Sequence, residues 1–233
     1  MKTIVVLPAY NCSQTLKQTI EEIPSDIVDE IILVDDYSQD ETYLLAKEIG
    51  IKHVYKHHSN LGYGANQKSC YNHALSLGAD IIIMLHPDYQ YNPKLIVEIV
   101  KEIKLGEKIV FASRLIHGFD AVRNGMPIYK YVANRFLTIF QNLLLHKSMS
   151  EYHTGYRAYT RDVLMNLPYH NFSNDFIFDN QFILAAFSKG YNIKELYCPA
   201  RYEKDSSSIK LCRSIKYGLG VVYYTIKYKI KNK

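Results

Sequence analysis

Five short runs rich in β-branched residues, Thr3–Leu7, Glu30–Val34, His53–Lys56, Asp80–Leu85 and Ile109–Ala112, alternate with stretches of helical period along the first 115 residues. Strands separated by helices are joined by crossovers, and crossovers of that length place parallel neighbours in one sheet. Helix starts are marked by Ser13 ahead of Gln14–Glu22, by Asp40-Glu41 ahead of Thr42–Ile49 and by Pro93 ahead of Lys94–Leu105. The fold class expected is α/β, a Rossmann-like, mostly parallel sheet flanked by helices. Ligands of such sheets bind beyond the C-terminal ends of the strands.

After Arg114 the alternation stops. A glycine-containing loop, His117 to Pro127, leads to an amphipathic stretch, Tyr129–Leu145, and residues 151–159 read as a loop entering a strand. A helix near Phe176–Ser188, a strand near Ile193–Cys198 and an amphipathic helical tail from about Ile209 complete the chain. The length of 233 residues and 48% hydrophobic content suit one domain with an appendage. The expected division is a domain over residues 1–205, with halves 1–115 and 116–205, and a basic tail over 206–233. Cys12, Cys70, Cys198 and Cys212 show no CxxC spacing, and the opening Met-Lys-Thr-Ile-Val-Val-Leu-Pro reads as a strand, so reduced thiols and a cytoplasmic protein are expected.

Charge is placed unevenly. Of the 28 Lys and Arg, seven follow residue 205, where no Asp or Glu occurs, so the first 205 residues carry 21 basic against all 23 acidic residues. That tail joins its charges to Ile215, Leu219, Val222, Tyr223, Ile226 and Ile230, which predicts a peripheral anchor on an anionic membrane surface. Packing of the same apolar set on the domain or on a second subunit is the alternative. Tyr217 to Ile226 is the longest apolar candidate for a span and falls short of the roughly 18–20 residues a bilayer requires.

Polar residues gather where the strands end. Ile81–Leu85 runs into His86-Pro87-Asp88-Tyr89-Gln90, and side chains two apart in an extended segment share a face. His86, Asp88 and Gln90 are therefore expected to converge as an imidazole, a carboxylate and an amide oxygen, a set suited to a divalent cation and a phosphate. A polar turn closed by Asn92-Pro93 is the plain alternative. Asp35 and Asp36 repel unless a donor or cation meets them, and N-capping of the next helix is better served by Ser38 or Asp40. Gly62-Tyr63-Gly64 lacks the third glycine of a dinucleotide fingerprint and lies on the wrong turn for one. Lys68 is a candidate for contact with a base or phosphate, a solvated lysine being the alternative. His53, His57, His58, His73, His117, His146, His153 and His170 show no zinc spacing and are expected to be solvated or structural. Tyr10 and Tyr89 are candidates to stack on a base or sugar.

Taken as a set over about residues 3–205, these segments resemble the family-2 glycosyltransferases of the GT-A fold, most closely the branch related to dolichol-phosphate mannose synthase and polyprenyl-phosphate glycosyltransferases. Pro8-Ala9-Tyr10-Asn11 resembles that family's base-binding strand, and Val34-Asp35-Asp36-Tyr37-Ser38-Gln39-Asp40-Glu41-Thr42 its VDDxSxDxT segment. Asn60-Leu61-Gly62-Tyr63-Gly64 is similar to its NxGxG loop. His86-Pro87-Asp88-Tyr89-Gln90 falls where the family carries Asp-x-Asp-x-Gln, Ala112-Ser113-Arg114 resembles GSR, and Thr154-Gly155-Tyr156-Arg157 its S/T-G-F/Y-R segment. His86 departs by standing in place of an aspartate, which removes one negative charge.

The resemblance implies inverting transfer from a UDP-, GDP- or dTDP-linked sugar to a lipid-linked (polyprenyl phosphate) or envelope-glycan acceptor, dependent on Mn²⁺ or Mg²⁺, peripheral at the cytoplasmic face of a membrane. The first half would hold the donor through Pro8, Ala9, Tyr10, Asn11, Asp35, Asp36, Gly62, Lys68, His86 and Asp88. His86, Asp88 and Gln90 would hold the cation. Arg114, Arg123, Arg157 and Arg201 would seat a phosphate acceptor, and Asp179 lies where hydroxyl-using relatives carry their base, with helix N-terminal dipole stabilisation as its alternative. Arg157 and Asp179 are the catalytic candidates. A homo-oligomer is among the expectations and nucleic acid is not. Rival readings are a degenerate nucleotide-sugar-binding protein and, disfavoured by glycine placement, an NAD-dependent enzyme.

Overall fold

The computed structural model describes residues 1–199, 201–202 and 211–231. Strands β1 (Thr3–Ala9), β2 (Glu30–Asp35), β3 (His53–Lys56), β4 (Ile81–Met84) and β5 (Ile109–Ser113) form on the five β-branched runs. Between them lie α1 (Ser13–Glu21), α2 (Thr42–Glu48), α3 (Tyr63–Ser76) and α4 (Ile96–Lys104), the last entered through a 3₁₀ turn at Pro93–Leu95. The second half supplies α5 (Asp120–Arg123), α6 (Ile128–Leu145), β6 (Arg157–Thr160), α7 (Arg161–Asn166), α8 (Phe178–Ser188), β7 (Lys194–Tyr197) and α9 (Leu211–Lys231).

The strands make one seven-stranded sheet in the order β3-β2-β1-β4-β6-β5-β7. Pairing is parallel except at β6, which runs antiparallel to both β4 and β5. Every residue of β1, β4 and β5 is buried, which is why these runs are continuously apolar instead of alternating. Successive side chains still go to opposite layers. Ile4, Val6, Ile32, Val34, Ile82 and Met84 pack with α3, α7 and α8, while Val5, Leu7, Leu33, Ile81 and Ile83 pack with α1, α2 and α4. The chain leaves β1 toward β2 on one side and returns through β4 on the other, so the switch point of the sheet lies between β1 and β4.

Several local expectations are corrected. Ser13 lies inside α1 and gives no side-chain cap; instead the Asp40 carboxylate accepts from the backbone N–H of Ser13 at 3.0 Å and of Thr42 at 3.1 Å, so it serves the starts of α1 and α2 together. The loop His117–Pro127 contains α5. Most consequential, β4 stops at Met84 and Tyr89 sits at φ +58°, so residues 86–90 are a turn rather than an extended strand. Alternation therefore does not orient His86, Asp88 and Gln90.

The tail helix is docked on the domain through small and polar residues. Val221 and Thr225 are fully buried, Gln141 Nε2 on α6 is 3.4 Å from Thr225 Oγ1, and His153 Nδ1 is 2.7 Å from the Tyr217 hydroxyl. The predicted boundary at 205/206 and the helix start near Ile209 lie outside the described residues. Among the described residues no helix is long and apolar enough to cross a membrane.

Candidate active site

Beyond β1 and β4, at the switch point, an open cavity of about 1180 Å³ is bounded by both halves of the chain. Its donor-side floor is built by backbone turns that need particular residues. Asn11 and Tyr37 occupy the left-handed region at φ +50° and +66°, and the two turns are joined by Asn11 Oδ1 accepting from the Gln39 N–H at 2.8 Å.

Asp36 gathers the next loop. Its carboxylate accepts from the Leu61 and Gly62 N–H groups, each at 2.9 Å, and meets His57 Nδ1 at 2.7 Å. Asp35 is fully buried, receives the Ser38 N–H at 3.0 Å and the Ser38 hydroxyl, and pairs with Lys56 at 3.4 Å. The protein itself thus supplies the donors that adjacent carboxylates require. Gly62 has φ +97°, and a Cβ there would stand 2.6 Å from the Asn174 carbonyl oxygen; a Cβ on Gly64 would stand 2.4 Å from that of Ser173. These two glycines let the start of α3 close against residues 173–174 of the second half.

A chain of polar contacts crosses the cavity floor. Arg157 is fully buried, donates to the carbonyls of Thr154 at 2.7 Å and Tyr152 at 3.2 Å, and brings Nη1 to 3.1 Å from Asp179 Oδ1. Gln67 Nε2 donates to the same oxygen at 3.0 Å, its amide oriented by the Tyr71 hydroxyl at 2.8 Å. Tyr63 donates its hydroxyl to Asp179 Oδ2 at 2.9 Å and lies 3.1 Å from His86 Nε2. A phenol has one proton, and burial followed by the Asp179 charge holds the Tyr63 pKa well above its usual value, so that proton stays in place. With the proton given to Asp179, the network assigns the Tyr63–His86 contact to an Nε2–H donor. The neutral His86 ring then carries its lone pair on Nδ1. Burial pulls the His86 pKa below its ordinary value, against the opposing pull of Asp88 and Asp179. Gly155 makes room for the ring, since a Cβ there would lie 2.4 Å from it.

On the acceptor side, Arg114 is locked to Glu151, which also accepts from Asn134 Nδ2 at 2.8 Å. Burial raises the Glu151 pKa, but the Arg114 guanidinium and its hydrogen bonds outweigh it and the carboxyl lies below the usual range. Lys130 projects from α6 into the cavity, and burial followed by the Arg114 charge lowers its pKa. Among the described residues its ammonium has no ion pair.

The predicted residues divide accordingly. On the donor side Pro8, Tyr10, Asn11, Asp36, Gly62, His86 and Asp88 line the cavity, and Gln90 lines it too. Ala9 and Asp35 are buried in the sheet instead, and Lys68 is turned away, its ammonium bound to the Phe172 carbonyl and, at 2.8 Å, to Asn174 Oδ1. Among the acceptor arginines only Arg114 lines the cavity. Arg123 pairs with Asp120 at the surface, Arg157 is sealed beneath Asp179, and Arg201 lies over the Tyr89 ring and pairs with Glu22 at 3.7 Å. Tyr89 is buried with its hydroxyl on Glu22, so of the two residues expected to stack only Tyr10, half exposed, remains available.

Other cavity residues escaped the sequence reading. Tyr63 was hidden between two glycines read for their backbone alone. His153, expected to be solvated or structural, lines the cavity, and its Nε2 has no hydrogen-bond partner among the described residues. Asn66 ties the Ala9 and Val34 carbonyls together at 3.3 and 3.0 Å, and its Oδ1, at the cavity, has no hydrogen-bond partner among the described residues.

Among the described residues no three His, Cys, Asp or Glu side chains form a group able to hold a metal. A carboxylate, an amide oxygen and one imidazole at the same cavity nevertheless suit a hard cation whose remaining ligands come from a diphosphate and water. The residues fit a shared cation and not a self-sufficient cage.

Comparison with known proteins extends this picture. The model for "Glycosyl transferase family 2" matches residues 4–167; Asp179 and α9 lie outside that span. The UDP-N-acetylglucosamine–dolichyl-phosphate N-acetylglucosaminyltransferase of Methanococcus voltae is 27% identical over 176 residues, 69% of this chain and 70% of the relative. The polyprenol monophosphomannose synthase of Mycolicibacterium smegmatis is 25% identical over 202 residues, 84% of this chain and 76% of the relative. Among solved structures, glucosyl-3-phosphoglycerate synthase of Mycobacterium tuberculosis, in complex with Mn²⁺, UDP-glucose and phosphoglyceric acid, superposes with a TM-score of 0.72 at 18% identity, covering 98% of this chain and 79% of that one. The mostly parallel sheet flanked by helices is of the GT-A type.

Proposed function

This chain is a glycosyltransferase belonging to family 2, and we propose that it moves a sugar from a nucleotide-sugar donor to a polyprenyl phosphate or similar lipid-linked phosphate at the cytoplasmic face of a membrane. One observation carries the reading: a single cavity is lined both by the polar Asp36, Asp88 and Gln90 and by the apolar Phe136, Leu137, Ile215 and Leu219. A donor diphosphate suits the first and an isoprenoid chain the second. The names of the two archaeal and mycobacterial relatives support that acceptor class. The proposed catalytic domain spans residues 1–205, with the donor half first.

In the proposed mechanism the acceptor oxygen attacks the anomeric carbon from the face opposite the leaving group. The bond to the nucleoside diphosphate breaks and its electron pair leaves with the diphosphate. Asp88, Gln90 and His86 would hold Mn²⁺ or Mg²⁺, whose positive charge would offset the charge growing on that leaving group. Pro8, Tyr10, Asn11 and Asp36 would seat the nucleoside.

Asp179 is reassigned in this proposal. Its oxygens already accept from Gln67 and Tyr63 and pair with Arg157, which leaves about one lone pair of the four uncommitted, and in this proposal it serves to position Tyr63 and, through it, His86. An acceptor phosphate is anionic at neutral pH and requires no base; it requires positive charge, for which Lys130 and Arg114 at the cavity are the proposed seat, in place of Arg123, Arg157 and Arg201. The discriminating experiment incubates UDP-, GDP- and dTDP-sugars with polyprenyl phosphate and Mn²⁺ or Mg²⁺. A sugar-phosphoryl polyprenol that disappears with EDTA supports the proposal, whereas metal-dependent donor binding with no turnover on any acceptor establishes the degenerate reading.

A further inference from the structure

Surface helices of a domain turn their large apolar residues inward. α6 and α9 pack Tyr131, Leu145 and Tyr228 inward but each also turns a stripe of large apolar residues outward. Ile128, Val132, Phe136, Ile139 and Leu143 on α6 and Ile215, Leu219, Tyr223, Ile226 and Ile230 on α9 are all exposed, Phe136 at 66% and Leu219 at 67%. Each set advances by four, four, three and four residues, which is one continuous stripe on a helix. The most deeply buried positions of the two helices are Thr138, Gln141, Val221 and Thr225, none more than 1% exposed. The outward orientation is therefore fixed by a packed seam.

The stripes meet at one place, for Phe136 of α6 and Ile215 and Leu219 of α9 line the same cavity. Charge completes the pattern. Neither helix contains Asp or Glu, while Lys130 and Arg135 lie on α6 and Arg213, Lys216, Lys227, Lys229 and Lys231 on α9. Lys216 pairs with Asp175 at 3.4 Å, and an apolar face bordered by the other cations of two helices that carry no acid is the chemistry that an anionic bilayer interface accepts. A second copy of the chain fits less well, because a two-fold contact on this face would set the cations of one copy against those of the other.

We propose that α6 and α9 together form a membrane-docking surface, with α6 inserting its stripe beside that of the C-terminal helix and the cavity mouth held at the headgroups. The proposal rests on and deepens the membrane placement of the proposed function and does not depend on which sugar is moved. The chain contains no tryptophan, so single-tryptophan reporters are free of background. Phe136→Trp on α6, Leu219→Trp on α9 and, as a control on exposed Leu44 of α2, Leu44→Trp are mixed with phosphatidylcholine vesicles with and without about 30% phosphatidylglycerol, a content that gives a markedly negative surface. Each variant is first required to keep the unfolding midpoint of the parent chain.

The Phe136 and Leu219 variants are expected to shift emission to the blue and to be quenched by bromine-labelled lipid, with binding about tenfold or more tighter on the anionic vesicles and weakened by salt. The Leu44 variant should not respond. Quenching at Leu219→Trp alone overturns the role of α6. A blue shift that follows protein concentration without vesicles overturns the membrane in favour of a second copy, and no response in any reporter overturns the surface altogether. No sugar, metal or acceptor is present in this assay, so its failure is separate from failure of the transferase reading.

Discussion

At the residue scale, His86 stands where the family it resembles carries an aspartate, and Tyr63 and Gly155 are what meets its ring. Tyr63 supplies a partner 3.1 Å away, and the absence of a Cβ at Gly155 leaves room for the ring. Asp88 then carries the only formal negative charge of the 86–90 turn. Asp88→Asn is expected to lower transfer about a hundredfold or more, the scale of losing a few kcal/mol of charge stabilisation, with the unfolding midpoint unchanged. Near-parental turnover at saturating Mn²⁺ would remove Asp88 from the cation site. His86 makes a second prediction. Its pKa is pulled down by burial, so the neutral ring persists below its ordinary value near 6.5 and activity falls only when pH drops through that lowered value. His86→Asp should shift this acid limb downward, and an unchanged pH profile excludes a direct role. The motif positions Asp36, Gly62 and Asp88 were legible because their residue types are costly elsewhere. Tyr63, Asn66 and His153 were not, since a tyrosine, an asparagine and a histidine are ordinary in any helix or loop until a fold brings them together.

At the element scale, α3 and α8 are joined under the cavity by Gln67, Tyr63, Asp179 and Arg157, and the fourth of these is buried with no second anion among the described residues. Asp179→Asn should therefore destabilise the protein by about 3–5 kcal/mol, the cost of leaving a buried charge without its partner. Chemical denaturation measures it. Unchanged stability together with a loss of kcat of roughly 10²–10⁴-fold would instead reinstate Asp179 as a general base. The strands of the first half were readable because burial on both faces demands unbroken β-branched runs. β6 was legible only as a strand of unknown direction: Arg157-Ala158-Tyr159-Thr160 has no apolar run, and its antiparallel place between β4 and β5 follows from tertiary pairing. α5 and α7, at four and six residues, are too short to show a period.

At the scale of the whole molecule, the join between the body and its last helix is the part that sequence left open. Amphipathicity alone allowed α9 to bury either face, and the outcome follows from shape: Val221 and Thr225 fit the seam against α6, and Tyr217 reaches His153. The burial of His153 at this join makes folding sensitive to acid. Burial, only partly opposed by Glu151, lowers the His153 pKa to about 4, whereas the unfolded chain holds it near 6.5. The unfolded state therefore binds the proton first as pH falls, so the contribution of His153 is intact above about pH 6.5 and is lost progressively down to about pH 4. Over the full window this amounts to about 3 kcal/mol, of which about 1.4 kcal/mol disappears for each pH unit below the unfolded value. Urea unfolding of the metal-free chain at pH 7.5, 6.0 and 5.0 is expected to show this slope, and His153→Gln, which keeps a polar group toward Tyr217 but cannot titrate, should flatten it. Parallel pH profiles for the parent and the variant would assign the acid sensitivity to other groups and leave the His153–Tyr217 contact as a mechanical link only.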